Sequence, residues 1–102
     1  MITATFNYES DNCVSYEISG HAYADEPGRD LVCAAVSAVA FGLTNAIIRL
    51  SLTEPEIKTA DGYIRVSRVE SDKKVQTIVY GLLTSLETIE EDYSKYLKII
   101  KN

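Results

Sequence analysis

The N-terminal part of the chain alternates between apolar and polar residues in two runs. The apolar positions of these runs are Ile2, Ala4 and Phe6, then Val14, Tyr16 and Ile18. A period of two is typical of a half-buried β-strand, and the polar segment 10–12 between the runs is typical of a turn. We therefore predict a β-hairpin. Continuing the alternation places Cys13 on the polar face with Ser15 and Glu17, where we expect no chemical role for it.

A segment of small apolar residues follows, with no charged residue between Leu31 and Ile48. This length reaches that of a transmembrane helix. Its alanines and its Ser, Gly, Thr and Asn residues instead favour a helix that packs on several sides inside a compact domain. Asp30 is a good N-cap residue, so we expect the helix to begin at Leu31 with Cys33 in its first turn. It is expected to end near Leu50.

The second half of the chain repeats the order of strand, strand and helix, and then adds one strand. The Asp61-Gly62 pair is a strong turn signal because it tolerates positive φ, so residues 57–59 and 63–69 predict a second hairpin. An amphipathic helix to about Asp92 follows. Its apolar positions, at spacings of three and four, are Val75, Ile78, Val79, Leu82, Leu83, Leu86 and Ile89. Residues 96–100 are rich in β formers and predict a last strand.

The order β-β-α-β-β-α-β predicts an α+β fold, with two helices packed against an antiparallel or mixed sheet in a layered domain. Sheet on both sides of the helical layer also fits this order. At 102 residues the chain has room for one domain, which we expect to span residues 1–102.

Composition and charge narrow the classes of partner. The net charge is -5 and the ten Lys and Arg residues are scattered, which argues against nucleic-acid binding and suits a basic protein partner. Two cysteines without a Cys-x-x-Cys motif or a signal peptide predict free thiols and a cytoplasmic location. One histidine and two cysteines twenty residues apart do not form a recognisable metal site.

The only histidine, His21, and Cys33 flank a predicted loop. A helix N-terminus carries partial positive charge, which favours the thiolate form of Cys33. On position alone, the favoured interpretation of Cys33 is a small buried residue, and that of His21 is a structural or solvated residue. Phosphatase chemistry does not fit, because no arginine follows Cys33 until Arg49.

Two motifs distinguish between these alternatives. The first is the triplet Gly20-His21-Ala22, and the second is the run Gly-x-Asp-x-Val-Cys-Ala-Ala-Val-Ser over residues 28–37. The step from His21 to Cys33 is twelve residues. In these motifs and this spacing the chain resembles the ribosomal-processing cysteine protease (Prp) family. The resemblance implies a homodimeric endopeptidase without a cofactor. It also implies a substrate, the N-terminal extension of the twenty-seventh large-subunit ribosomal protein, cut after an aromatic residue in an apolar segment. The family usually has proline where this chain has Ser94.

The resemblance assigns the central chemistry to two residues. Cys33 would be the nucleophile that attacks a peptide carbonyl and forms an acyl-enzyme. His21 would act as general base and acid, taking the thiol proton and later protonating the leaving amine.

The supporting residues have structural explanations as well. Asp30 could cap the helix, and by the resemblance it could also orient His21 or hold the loop. Ser37 could donate back to the carbonyl of Cys33 or take part in the site. Gly20 and Gly28 would allow backbone geometries that a side chain blocks.

Two other classes of function stay open at this point. One is a non-catalytic, ribosome-associated module that binds a peptide in the same groove. The other is a thiol-based redox sensor that uses Cys33.

Overall fold

The order of strands and helices is the one that the sequence predicts. A computed structural model describes residues 1–20 and 29–102, with the backbone alone at Arg29 and Asp30. The elements are β1 (Ile2–Glu9), β2 (Asn12–Ser19), α1 (Arg29–Leu50), β3 (Glu56–Ala60), β4 (Tyr63–Ser67), α2 (Lys73–Tyr93) and β5 (Leu97–Lys101). The α+β fold class is confirmed.

The five strands form one mixed sheet in the order β3-β4-β2-β1-β5. The two hairpins and the β2–β4 pair are antiparallel, and β5 runs parallel to β1. Ala4 pairs with Ile18, which in turn pairs with Ile64, so the predicted apolar positions meet on one face. Every strand within residues 1–20 and 29–102 belongs to this sheet. The alternative with sheet on both sides of the helices is therefore wrong, because β5 returns to the edge beside β1.

The two helices pack against each other and against the apolar face of the sheet. Asp72 caps α2, its carboxylate accepting from the backbone N–H groups of Lys74 (3.0 Å) and Val75 (3.4 Å). A buried hydrogen bond of 2.6 Å between the hydroxyls of Tyr16 and Thr44 joins β2 to α1. Helix α1 runs closely along α2, whereas it approaches the strands at few points.

The outer side of α1 is open in the described part of the chain. Leu31 and Phe41 are 61% and 46% exposed, and only 28% of the most apolar 18-residue stretch of the helix is buried. By length and composition alone, this helix could cross a membrane. The expectation of a helix packed on several sides is therefore wrong, since the sheet and α2 cover one side of it and the small residues of the opposite side face outward.

Cys13 lies in the core and not on the polar face. Ser15 pairs with Asn7 but Cys13 pairs with Tyr8, so Val14 is an extra residue in β2. Such a bulge reverses the alternation, which turns Cys13 to the same face as Tyr16. The Cys13 side chain is fully buried, and burial raises the pKa of its thiol to about 11.

Candidate active site

One stripe of α1 carries the residues that the motif singles out. Cys33, Val36, Ser37, Ala40 and Phe41 follow at spacings of three and four, so they share a side of the helix, and all five line one pocket. Cys33 is half-buried with a free thiol, and Ser37 is exposed. The predicted common face of Cys33 and Ser37 is thus present, and it borders a cavity.

The opposite wall of the pocket comes from the end of the sheet. Ile2, Ile18 and Ile64 stand on three neighbouring strands, and residues 60–63 at the β3–β4 turn form the side. The cavity measures about 340 Å³. An apolar cavity with a few polar groups at its mouth is typical of a small ligand or side-chain site.

Gly20 follows the last residue of β2 and lines this pocket. Its φ is +109°, and its N–H donates to the carbonyl of Gly62 at 2.9 Å. A Cβ built on Gly20 would overlap the carbonyl oxygen of Met1, so no side chain fits there. The predicted geometric role of Gly20 therefore has a physical basis. His21, the next residue, lies outside the described residues.

The start of α1 differs from the prediction. The helix begins at Arg29, so Asp30 is its second residue and Cys33 its fifth. An N-cap residue lies outside the helix it caps, which makes the prediction of Asp30 as the N-cap wrong. The signal was ambiguous because aspartate is favourable both at the cap and within the first turn, where the helix dipole attracts negative charge. Gly28 and the predicted loop 22–28 lie outside the described residues.

Ser37 does not follow the usual pattern of helical hydroxyl residues. Thr77 and Thr88 each donate to the carbonyl four residues earlier at 2.8 Å. Among the hydrogen bonds of the described residues, none joins the Ser37 hydroxyl to the carbonyl of Cys33. The Ser37 hydroxyl therefore stands at the pocket without the back-bond that offered its structural explanation.

The wall residues were missed by the sequence reasoning. Ile2, Ile18 and Ile64 read only as strand positions, since nothing local shows that their pairing brings them opposite Cys33. The turn residues Asp61 and Gly62 had a signal, but it indicated a hairpin and gave no hint of its place beside the pocket.

Cys33 is a free cysteine near the start of a helix, and it lines a mostly apolar pocket. This arrangement is typical of enzymes that use a cysteine thiol as the nucleophile. The family model of the cysteine protease Prp matches residues 1–98. This chain belongs to that family, as its motifs predict.

Individual relatives cover the whole chain. The ribosomal processing cysteine protease Prp of Bacillus subtilis is 42% identical over 110 residues, covering 100% of this chain and 98% of the relative. Its counterpart from Staphylococcus aureus is 38% identical, with 97% of each chain covered.

Solved structures show the same fold. The crystal structure of the essential ribosomal processing protease Prp from S. aureus with a substrate peptide has a TM-score of 0.90 and 34% identity, and covers 100% of both chains. The structure of that protease with a covalently linked product peptide has a TM-score of 0.89 and 35% identity, again over 100% of both chains.

Proposed function

We propose that this chain is a cysteine endopeptidase that removes the N-terminal extension of the twenty-seventh large-subunit ribosomal protein. Cys33 is the nucleophile and His21 the general base and acid. The observation that carries the proposal is the position of Cys33, which is half-buried and lines the same pocket as Gly20, the residue directly before His21. The shared pocket of Gly20 and Cys33 supports the pairing of His21 with Cys33.

The proposed reaction needs no cofactor. His21 takes the proton of Cys33, and the thiolate sulfur attacks the scissile carbonyl carbon to form a tetrahedral intermediate. The C–N bond then breaks, His21 protonates the leaving amine, and an acyl-enzyme is left on the sulfur. A water molecule, deprotonated by His21, releases the new C-terminal carboxylate and restores the thiol. The Ser37 hydroxyl, exposed beside the pocket, supplies a hydrogen-bonding group to the bound peptide.

The pocket supports an apolar segment as the substrate. Most of its lining is apolar, with isoleucine side chains from the sheet and Val36, Ala40 and Phe41 from α1, and Asp61 is the charged residue among the described lining residues. We infer that an aromatic residue next to the cut bond enters this pocket. The net charge of -5 suits a basic substrate protein. In the related S. aureus protease, substrate and product peptides are bound in crystal structures.

We also propose a cytoplasmic homodimer. Cys13 and Cys33 are both free, as expected in a reducing compartment. The open apolar side of α1, where Leu31 is 61% exposed, offers a surface for a second copy. Sedimentation equilibrium is expected to give twice the 11.3 kDa mass of the chain, and a single-chain mass at all concentrations would contradict the dimer.

Cleavage of a synthetic peptide of the extension tests the catalytic proposal. The wild-type protein is expected to cut it, and Cys33→Ala to bind it without cutting. Cys13→Ala is the matched control, because the second thiol is sealed in the core and its loss leaves catalysis in the folded protein intact. Binding without cleavage by the wild type would support the non-catalytic module instead. Reversible oxidation of Cys33 that no peptide affects would support the redox sensor.

The pH dependence of alkylation tests the pairing of Cys33 with His21. If an imidazolium stabilises the thiolate, His21→Ala will shift the alkylation profile of Cys33 to higher pH. Identical profiles in the two proteins would remove the activated pair from the unliganded protein.

A further inference from the structure

We propose that Phe41 binds the side chain of the third residue before the cut bond and selects a large apolar residue at that position. This inference rests on the proposed endopeptidase function and adds a specificity-determining residue to it. It comes from the exposure of Phe41 and from its spacing to Cys33 along α1.

Phe41 belongs to the pocket and not to the core. Its side chain is 46% exposed and lines the pocket together with Cys33 and Ser37. Of the large apolar side chains that are exposed in the described part of the chain, Phe41 alone lines this pocket. Its neighbours Val39 and Leu43 pack against the core, whereas Phe41 is not among the described residues that do so. Core packing therefore does not account for an aromatic ring at this position, and binding of an apolar group does.

Cys33, Ser37 and Phe41 form a row along α1, at two steps of four residues. A helix rises about 1.5 Å per residue, so each step is about 6 Å and the backbones of Cys33 and Phe41 lie about 12 Å apart along the axis. Long side chains in a helix point back toward its N-terminus, which brings the Phe41 ring closer to Cys33 than the backbone separation. The row therefore spans more than one residue of an extended peptide.

An extended peptide places alternate side chains on the same side. Its residues rise about 3.3 Å each, and successive side chains point in opposite directions. When the carbonyl of the residue before the cut lies at the Cys33 sulfur and its side chain enters the pocket, the second side chain points away from the pocket. The third side chain returns to the pocket about 7 Å further on, within reach of the Phe41 ring.

The proposed substrate suits this contact. Its cut bond follows an aromatic residue in an apolar segment, so apolar side chains are available before the cut. An aromatic ring that is exposed in the free protein buries a large apolar area when such a side chain covers it. Phe41 thereby favours a large apolar residue over a small one at the third position.

The test uses two pairs of peptides of the extension. One pair differs only in the third residue before the cut, which is Phe or Ala, and the other pair differs in the same way at the first residue. The wild type is expected to favour Phe at the third position by at least about tenfold in kcat/KM. Phe41→Ala is expected to reduce this ratio to less than about threefold and to keep the ratio at the first position.

Tyr80→Ala is the matched control. Tyr80 is an aromatic residue of α2 that is 70% exposed and lies outside the described lining of the pocket, so its substitution leaves both ratios unchanged. Thermal melting checks that each variant is folded. Phe41→Leu, which keeps an apolar side chain, is expected to reduce the third-position ratio less than Phe41→Ala, and it provides the answer where Phe41→Ala does not fold.

The outcomes separate this inference from the proposed function. If the wild type cuts the peptides without a preference at the third position, or if Phe41→Ala keeps that preference or lowers all rates in parallel, the role of Phe41 is overturned. If the wild type cuts none of them, the endopeptidase proposal fails. The affinities of the same peptides for Cys33→Ala, with and without Phe41→Ala, then decide on Phe41 alone: loss of the third-position preference supports its role, and an unchanged preference or no binding overturns it.

Discussion

Replacing Gly20 with alanine tests how the backbone positions the site. The φ of +109° at Gly20 is one that L side chains rarely adopt. A Cβ at this position would overlap the carbonyl oxygen of Met1 and lie 3.2 Å from its carbonyl carbon and 3.3 Å from the Cα of Ile2. All three are backbone atoms, so no side chain can rotate away to relieve the overlap.

The expected cost follows from these contacts. Holding a residue with a side chain in a rarely populated backbone region costs on the order of 1–3 kcal/mol. Moving Met1 and Ile2 strains the hydrogen bond from Ile2 N–H to the Tyr96 carbonyl (2.8 Å), and moving Gly20 strains its bond to Gly62 (2.9 Å). The loss of one such bond adds about 1 kcal/mol. We expect Gly20→Ala to lower the free energy of unfolding by about 2–4 kcal/mol.

Urea denaturation measures this change, and Gly81→Ala is the matched control. A Cβ at Gly81, inside α2, meets nothing within 4 Å, so that variant is expected to gain about 0.5–1 kcal/mol. Where Gly20→Ala is still folded, kcat/KM is expected to fall by roughly 100-fold, because Gly20 directly precedes His21 and a 1 Å displacement can have that effect. A Gly20→Ala protein with wild-type stability and wild-type kcat/KM would refute this reasoning.

Three further predictions concern buried and capping groups. Alkylation is expected to label only Cys33 in the folded protein and both thiols in the unfolded protein. Rapid labelling of Cys13 in the folded protein would contradict its burial. Burial raises the pKa of Cys13 to about 11 and that of Tyr16 to about 12, so the folded chain keeps protons that the unfolded chain releases. The free energy of unfolding should therefore fall as pH rises from 9 to 11, and a flat profile in urea titrations would argue against it. Asp72→Ala is expected to cost about 1 kcal/mol in urea denaturation by uncapping α2, whereas Asp72→Asn, which still caps, should cost less.

Much of the fold could be predicted because its signals are local. Alternation predicted the first hairpin, and the Asp61-Gly62 pair predicted the second, at the turn between β3 and β4, where Gly62 has a φ of +66°. The spacing of α2 was regular enough to predict its buried face, with Val75, Val79 and Leu82 among its buried residues. These features depend on neighbours within a few residues.

The errors arose where a distant contact decides the local structure. The bulge at Val14 inverts the faces of β2, and Cys13 is then held by Gln76 of α2, whose side chain accepts from the Cys13 N–H and donates to its carbonyl, both at 2.9 Å. No pattern within residues 10–19 reveals that partner. The place of β5 beside β1 is likewise a pairing between the two ends of the chain.

The candidate site divides in the same way. The shared side of Cys33 and Ser37 follows from helix geometry, and the need for glycine at position 20 follows from its place at a strand end. The apolar wall of the pocket cannot be predicted from local sequence, because Ile2, Ile18 and Ile64 come together only through strand register. The sequence could therefore indicate the proposed nucleophile, Cys33, but not which residues line the pocket beside it.

The small residues of α1 do not all pack against other elements, as the sequence led us to expect. Small residues at a helix surface permit close approach, and close packing was the expectation. Close approach also requires a neighbouring element on that side of the helix. Ala40 is 2% exposed and lies on the same side of α1 as the buried Thr44, whose hydroxyl is joined to that of Tyr16 at 2.6 Å. Ala34, Ala38 and Gly42 are exposed on the other side. The small residues of α1 therefore allow close packing where the sheet meets the helix, and elsewhere they form an open surface.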